Sequence, residues 1–296
     1  MQKRILKASP RGFCYGVNNA VNMLRDTLSR ESGTVYVRKE IVHNTVLLER
    51  FRTLGAVFVD EIDEIPAGGV VVFSAHGVPP HVREQAKERN LRVVDATCPL
   101  VTKVHNEAIR LREQGYTIIL IGEEDHKEVI GVFGEAPDNT HIIRSETDID
   151  KLTGIDGARV AWLSQTTLNV DETQKTVECL RKKYPAIIGP PESDICYATK
   201  ERQLAVKNIA NECDLFIVAG SENSSNTNRL AEVALMAGAS DVVRIDMPEE
   251  LDGRDFSSVG TIGITSGVSV ENDQLESIIA YLKEIGYTHI EEIAVS

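Results

Sequence analysis

The stretch Val93-Val94-Asp95-Ala96-Thr97-Cys98-Pro99 decides how the chain is read. Residues 91–94 branch and alternate as a strand does, and Pro99 suits the first turn of a helix, where its missing N–H costs nothing. Leu100, Val101, Val104, Ala108 and Leu111 then recur at helical spacing, with Gly115 as the stop. Cys98 therefore stands where a strand ends and a helix begins. Unpaired backbone N–H groups and the positive end of a helix dipole favour a thiolate at such a place.

The arrangement recurs twice. Residues 5–8 read as a strand and 9–13 as a loop before Cys14, and a helix follows with Val17, Ala20, Val21, Leu24 and Leu28 on one face. Residues 186–189 read as a strand and 190–194 as a loop before Cys196, with a less cleanly patterned helix to about Glu212. The segments downstream match as well. Strands at 35–42, 117–121 and 215–219 lead to His43, to His126 with Glu128, and to Ser224, Ser225 and Asn226. Further strands at 70–73, 160–163 and 261–264 lead to polar loops with His76, Thr166 and Ser269.

A period of roughly 95 residues follows, which is the mark of an internally repeated architecture. Lobe boundaries are expected at 14–97, at 98–195, and at 196–296 joined by 1–13. Alternating strands and helices imply mostly parallel sheets with helices outside, and sites beyond the carboxyl ends of the strands. The expected fold is a trefoil-like α/β architecture, with three pseudo-threefold-related lobes gathering the three cysteines around one central cavity. The last strand-like segment, 289–295, is expected beside the N-terminal strand.

The totals restrict function. The chain has 296 residues, 42% hydrophobic and 26% charged, enough for a core and two or three domains. With 32 basic and 45 acidic residues its net charge is −13, so no nucleic acid or anionic membrane is expected as a partner. No apolar run approaches bilayer length, and residues 1–5 lack the apolar core of a signal peptide, so a cytoplasmic protein is expected. Five scattered cysteines do not read as a disulfide framework. Cys179 and Cys213 read as buried core residues. Cys14, Cys98 and Cys196, at matched positions, read as ligands or nucleophiles.

Three thiolates suit an iron–sulfur cluster, whereas a zinc site would normally add a histidine. A four-iron cube on three thiolates leaves one iron open to a substrate oxygen. His43, His76 and His126, with nearby hydroxyls and Asn226, make an anion site without Lys or Arg. The run Ser224–Asn228 reads either as a phosphate cradle at a helix start or as a simple N-cap sequence. Glu128 is the carboxylate expected to move a proton, because burial would hold it protonated. A solvated loop glutamate beside Glu123, Glu124 and Asp125 is the plain alternative.

Pro10-Arg11-Gly12-Phe13-Cys14-Tyr15-Gly16-Val17, Val42-His43-Asn44, Ser74-Ala75-His76-Gly77, Asp95-Ala96-Thr97-Cys98-Pro99, Gln165-Thr166-Thr167, Cys196-Tyr197-Ala198-Thr199 and Asn223-Ser224-Ser225-Asn226 closely resemble the 4-hydroxy-3-methylbut-2-enyl diphosphate reductases. These enzymes close the methylerythritol phosphate route to isoprenoids. The resemblance runs over nearly the whole chain, in order. It implies a [4Fe–4S] cluster on Cys14, Cys98 and Cys196. It implies diphosphate binding by His43, His76, His126, Ser224, Ser225, Asn226 and Ser269. Glu128 would be the proton donor, with Thr166 relaying or orienting. The implied reaction is a two-electron reductive dehydroxylation fed by reduced ferredoxin or flavodoxin.

Two departures from the family pattern stand out. Lys127 replaces the usual proline before Glu128, which removes rigidity and adds a cation. Val270-Glu271-Asn272-Asp273 replaces the usual segment after Ser269. Two other classes compete: a cofactor-free cysteine enzyme such as a racemase or hydrolase, and a non-catalytic cluster protein that senses redox state or iron. The first has no need of three matched thiols, and the second no need of a Glu/His/Ser/Asn lining.

Overall fold

Every strand pairing among the described residues is parallel, as βαβ connections require. The computed structural model describes residues 3–295; Met1, Gln2 and Ser296, at the ends of the expected third lobe and of the signal-peptide reading, lie outside them. The chain separates into two compact units. One runs to residue 15, takes in 43–47, and resumes from 197; the other comprises 16–42 and 48–196.

The first unit is built on a five-stranded sheet. Its strands are β1 (Arg4–Ser9), β9 (Leu215–Ala219), β10 (Val242–Ile245), β11 (Thr261–Ser266) and β12 (His289–Ala294), in the order β10-β9-β11-β1-β12. Both faces are covered. Ile5, Leu215, Ile217, Ile262 and Ile264 pack with α9 (Asn272–Glu284) on one face. Leu6, Phe216 and Val218 pack with α7 (Tyr197–Ile209) and α8 (Ser225–Met236) on the other. Period-two alternation between two buried faces gives the unbroken apolar run of β9. β12 pairs with β1 along its whole length, as expected, and forms the edge of this sheet.

The second unit holds two sheets. One contains β2 (Val35–Arg38), β3 (Ala56–Val59), β4 (Val70–Phe73) and β5 (Arg92–Asp95), in the order β3-β2-β4-β5. The other contains β6 (Thr117–Ile121), β7 (Thr140–Ile143) and β8 (Val160–Ser164), in the order β7-β6-β8. Ile118, Leu120, Ala161 and Leu163 pack under α4 (Pro99–Glu113) and α5 (Lys127–Phe133). Ile119, Ile121 and Val160 pack under α6 (Val170–Lys183). The remaining helices are α1 (Tyr15–Arg30), α2 (Thr45–Thr53) and α3 (Pro80–Glu88).

The three sheets share one strand order, so the fold is three α/β lobes with parallel sheets. In each, an edge strand (β10, β3 or β7) is followed by the strand that leads to Ser224, His43 or His126. Next comes the strand that leads to Ser269, His76 or Thr166. Beside that one lies the segment that leads to Cys14, Cys98 or Cys196: β1, β5 and, in the last case, Ile188.

That last segment departs from expectation. Residues 186–189 make no strand; Ile188 alone bridges Ala161, because Gly189-Pro190-Pro191 follows and proline has no N–H for a ladder. The strand expected over 35–42 stops at Arg38, since Lys39 takes the left-handed conformation (φ 59°) and turns the chain. The helix after Cys196 ends at Ile209, with a short 3-10 turn over Ala210–Glu212. Its irregular pattern has a cause: Thr199, Arg202 and Gln203 are buried polar residues. The Arg202 guanidinium donates to the carbonyl oxygens of Gly12 (2.7 Å) and Ala198 (2.9 Å).

Candidate active site

Cys98 is the N-cap of α4, with Pro99 in the first turn. The turn that delivers it is fixed by Asp95, whose Oδ1 accepts from the Thr97 hydroxyl (2.5 Å) and backbone N–H (3.1 Å). Burial pushes the Asp95 carboxyl up, but those two bonds and the Arg83 guanidinium outweigh it and hold the group below its ordinary value. At the far end of α4, Gly115 at φ 73° ends the helix as expected.

A single bond pattern repeats at all three cysteines. The Cys98 N–H donates to the Ala75 carbonyl (3.0 Å), in the loop after β4 that carries His76. The Cys196 N–H donates to the Thr166 carbonyl (3.1 Å), in the loop after β8. The Cys14 N–H donates to the Val268 carbonyl (3.3 Å), in the loop after β11 that carries Ser269. Each cysteine is thus pinned by its backbone to the polar loop of the neighbouring strand, which belongs to the preceding repeat for Cys98 and Cys196 and to the last repeat for Cys14. All three are partly exposed, and each immediately precedes a helix.

Gly16 supplies a close approach. A methyl group there would stand 2.4 Å from Cys98 Sγ, so only glycine leaves that sulfur its place. Cys213 behaves as expected of a core residue. It is 2% exposed, its Sγ contacts the Ile209 carbonyl (3.1 Å), and burial pushes its thiol up to about 12. Cys179 corrects the same expectation: it is only partly buried, on the α6 face near Glu146.

In the second unit the polar residues interlock. The His76 and His126 rings meet edge to face at 5.7 Å. His76 Nδ1 lies 3.3 Å from Ser74 Oγ. His126 is the N-cap of α5, its Nδ1 accepting from the Glu128 N–H (3.2 Å), which in the neutral ring leaves the proton on Nε2. Glu128 is buried, not solvated, with 2% exposure. Its Oε1 accepts from the Thr166 N–H (2.7 Å) and its Oε2 from the Thr166 hydroxyl (2.9 Å). Burial pushes the carboxyl up to about 7, opposed by the two Thr166 bonds and reinforced by the negative charge of Asp194. Lys127 does not act on this acid; its Nζ pairs with Glu40 Oε2 at 3.0 Å.

In the first unit, α8 begins at Ser225, with Ser224 as N-cap accepting from the Thr227 N–H (3.3 Å). Ser224, Ser225 and Asn226 are all buried. Asn226 Oδ1 accepts from the Val268 N–H (3.0 Å), while its buried Nδ2 has no hydrogen-bond partner among the described residues. A buried amide donor left open in this way fits an anionic ligand. Ser269 Oγ donates to the His43 carbonyl (2.8 Å), and Asn44 Nδ2 donates to the Ser269 carbonyl (2.7 Å). The altered segment after Ser269 packs Val270 into the core and starts α9 at Asn272.

Sequence reasoning missed two groups here. Asp194, whose Oδ2 accepts from the Ser164 N–H (3.0 Å), reads as one more polar loop residue. His105 and Glu135 lie on helical and turn positions that carry no motif. Among the described residues, no three His, Cys, Asp or Glu side chains stand close enough to share a single metal ion. A cluster differs, because each thiolate takes its own iron and the ligands stand farther apart. Among the described residues no helix is long and apolar enough to cross a membrane.

Comparisons with known proteins agree on one family. The family model described as LytB protein matches residues 5–283. The chain is 50% identical over 291 residues to the 4-hydroxy-3-methylbut-2-enyl diphosphate reductase of Mycolicibacterium vanbaalenii, covering 98% of this chain and 86% of that one. It is 50% identical over 292 residues to the enzyme of that name from Acidothermus cellulolyticus, covering 99% and 86%. The structure of the E-1-hydroxy-2-methyl-but-2-enyl-4-diphosphate reductase of Plasmodium falciparum superposes with a TM-score of 0.97 at 34% identity, covering 100% of this chain and 93% of that chain. With three α/β lobes of one strand order, three matched cysteines and half of its residues shared with these relatives, the chain belongs to the LytB protein family.

Proposed function

We propose that the chain is a 4-hydroxy-3-methylbut-2-enyl diphosphate reductase, yielding isopentenyl and dimethylallyl diphosphates. The observation that carries this reading is the repeated bond from each cysteine N–H to a polar loop. It ties three soft sulfur donors, one by one, to the loops that carry His76, Thr166 and Ser269. A cysteine hydrolase needs one such junction, and a sensor needs no proton donor.

The donor set fits a [4Fe–4S] cluster: three partly exposed thiols, each immediately before a helix, with Gly16 clearing space at Cys98 Sγ. Cys14, Cys98 and Cys196 would hold it, and bound there it would supply single electrons and an iron with an open position. Electrons would come from reduced ferredoxin or flavodoxin, as the family resemblance implies.

The chain's own residues bind and manage protons. The Nε2–H of His126, the His76 and His43 rings, the Ser224, Ser225 and Ser269 hydroxyls and the open Asn226 Nδ2 are donors suited to a diphosphate. Glu128, with its carboxyl near 7, holds a proton at working pH and can release it. Thr166 Oγ both donates and accepts, so the Glu128–Thr166 pair can turn that proton toward the substrate hydroxyl. The balance is one C–O bond broken, oxygen leaving as water with one added proton, and one C–H bond formed with a second proton. Two electrons from the donor complete it. Protonation at either end of the allylic unit accounts for two isomeric products.

Anaerobic purification tests the reading. The expected protein is brown, with about four iron and four sulfide per chain, and turns over the hydroxylated diphosphate with dithionite. A colourless chain active without iron would instead support a cysteine enzyme, and a brown chain without turnover a sensor.

A further inference from the structure

His105 lies on α4, seven residues past Cys98, and is 6% exposed. Its Nδ1 stands 2.8 Å from Glu135 Oε1, and Glu135 is itself buried. A carboxylate only accepts, so Nδ1 carries the proton and, in the neutral ring, Nε2 is a bare lone pair. That atom has no hydrogen-bond partner among the described residues. It faces two glycine backbones instead. A methyl group at Gly77 would stand 2.9 Å from His105 Nε2, and one at Gly131 would stand 3.0 Å from it. Gly77, at φ 78°, directly follows His76. Gly131 lies in α5, three residues after Glu128. Gly134 extends the same contact, since a methyl group there would stand 2.6 Å from Pro79 Cβ. The loop after β4 and helix α5 thus approach each other through glycines, with the His105 ring wedged against both. Glu135 is held to α4 a second time, by the Arg112 guanidinium on its carbonyl oxygen.

We infer that His105, locked by Glu135, is a positioning residue that sets the spacing between the His76 loop and the α5 segment carrying His126 and Glu128. A structural histidine could sit anywhere in the core. This one lies against the loop that carries His76 and the helix that His126 caps, whose rings meet at 5.7 Å. Its ring is too large for either glycine to bear a side chain beside it and too short to reach past them. The inference rests on the reductase reading, in which those rings hold diphosphate.

The test compares His105→Ala, His105→Asn and wild type as anaerobically purified holoenzyme. Asn keeps a donor for Glu135 and part of the wedge. The readouts are iron and sulfide content, KM and kcat with dithionite, and inorganic diphosphate affinity by calorimetry. His105→Ala should keep its iron, raise KM and weaken diphosphate binding about tenfold or more, as expected when binding groups are displaced by a fraction of an ångström. His105→Asn should recover part of that loss. KM and diphosphate affinity within twofold of wild type in His105→Ala, at full iron content, would overturn the positioning role even if its thermal midpoint fell. If His105→Ala does not fold, His105→Asn carries the test: a shift in KM and diphosphate affinity at full iron supports the role, and no shift overturns it. Wild type without turnover or diphosphate binding would overturn the functional reading and this inference together, whereas an active wild type with an unchanged variant overturns this inference alone.

Discussion

Glu128→Gln exchanges one buried oxygen for nitrogen and separates proton chemistry from architecture. Burial lifts the Glu128 carboxyl from 4.5 to about 7 against the two Thr166 bonds. The folded value lies above the unfolded one, so between these pH values the folded chain keeps a proton that the unfolded chain has lost. The resulting stabilisation is fully present below pH 4.5 and fades as pH rises through about 7. At 2.303RT per pH unit, that window amounts to about 3 kcal/mol. Glutamine has no proton to lose. Its Oε1 can accept from the Thr166 N–H and its Nε2 can donate to Thr166 Oγ, so packing is retained. Relative to wild type, the variant should therefore gain about 3 kcal/mol between pH 4.5 and 8, or about 5 °C in thermal midpoint for a chain of this length. Turnover should fall by roughly 10²–10⁴, the usual contribution of a general acid. The assay is anaerobic thermal unfolding of both holoenzymes at four pH values, with iron content and dithionite turnover on the same samples. Midpoints that run parallel with pH would refute the buried protonated acid. Turnover within threefold of wild type at full iron would move the proton-transfer role to another group.

Four further outcomes are expected. Cys14→Ser, Cys98→Ser and Cys196→Ser should each lose most iron and sulfide, while Cys213→Ser keeps both; iron loss in the latter would upset the ligand assignment. Gly16→Ala should lower cluster content without touching a thiol, because its methyl would meet Cys98 Sγ at 2.4 Å, and a full complement of iron would contradict that contact. Asn226→Ala should weaken inorganic diphosphate binding about tenfold, the loss of one hydrogen bond to a charged group, and unchanged affinity by calorimetry would assign the open amide elsewhere. Lys127→Pro should cost under about 1 kcal/mol at low salt, as a half-exposed ion pair does, with the difference from wild type shrinking as salt is raised; a salt-independent difference would point to backbone rigidity instead.

The repeat was legible because its carriers are local. A strand pattern, a proline in a first helical turn and a glycine stop put Cys98 at a junction, and a strand, a short loop and helical spacing did the same for Cys14. The third copy was the weakest, and the structure gives the reason. Residues 186–189 contribute one bridge, and the buried face of α7 carries the polar residues Arg202 and Gln203, the first of which reaches Gly12, 190 residues away. Single-residue burial was equally opaque. Glu128 sits among acids that suggest solvent, yet it is sealed against Thr166, 38 residues away, and Lys127 turns to Glu40 rather than to its neighbour.

The class of fold, the three-part period and the matched cysteines could be read from the chain alone, because hydrophobic periodicity and turn chemistry act over a few residues. Which loop holds which cysteine, how the Glu128 carboxyl is pushed up to about 7, and the placing of His105 against two glycine backbones emerge only from the folded chain. Those depend on hydrogen bonds and burial between segments remote in the chain, whose energies no local pattern encodes.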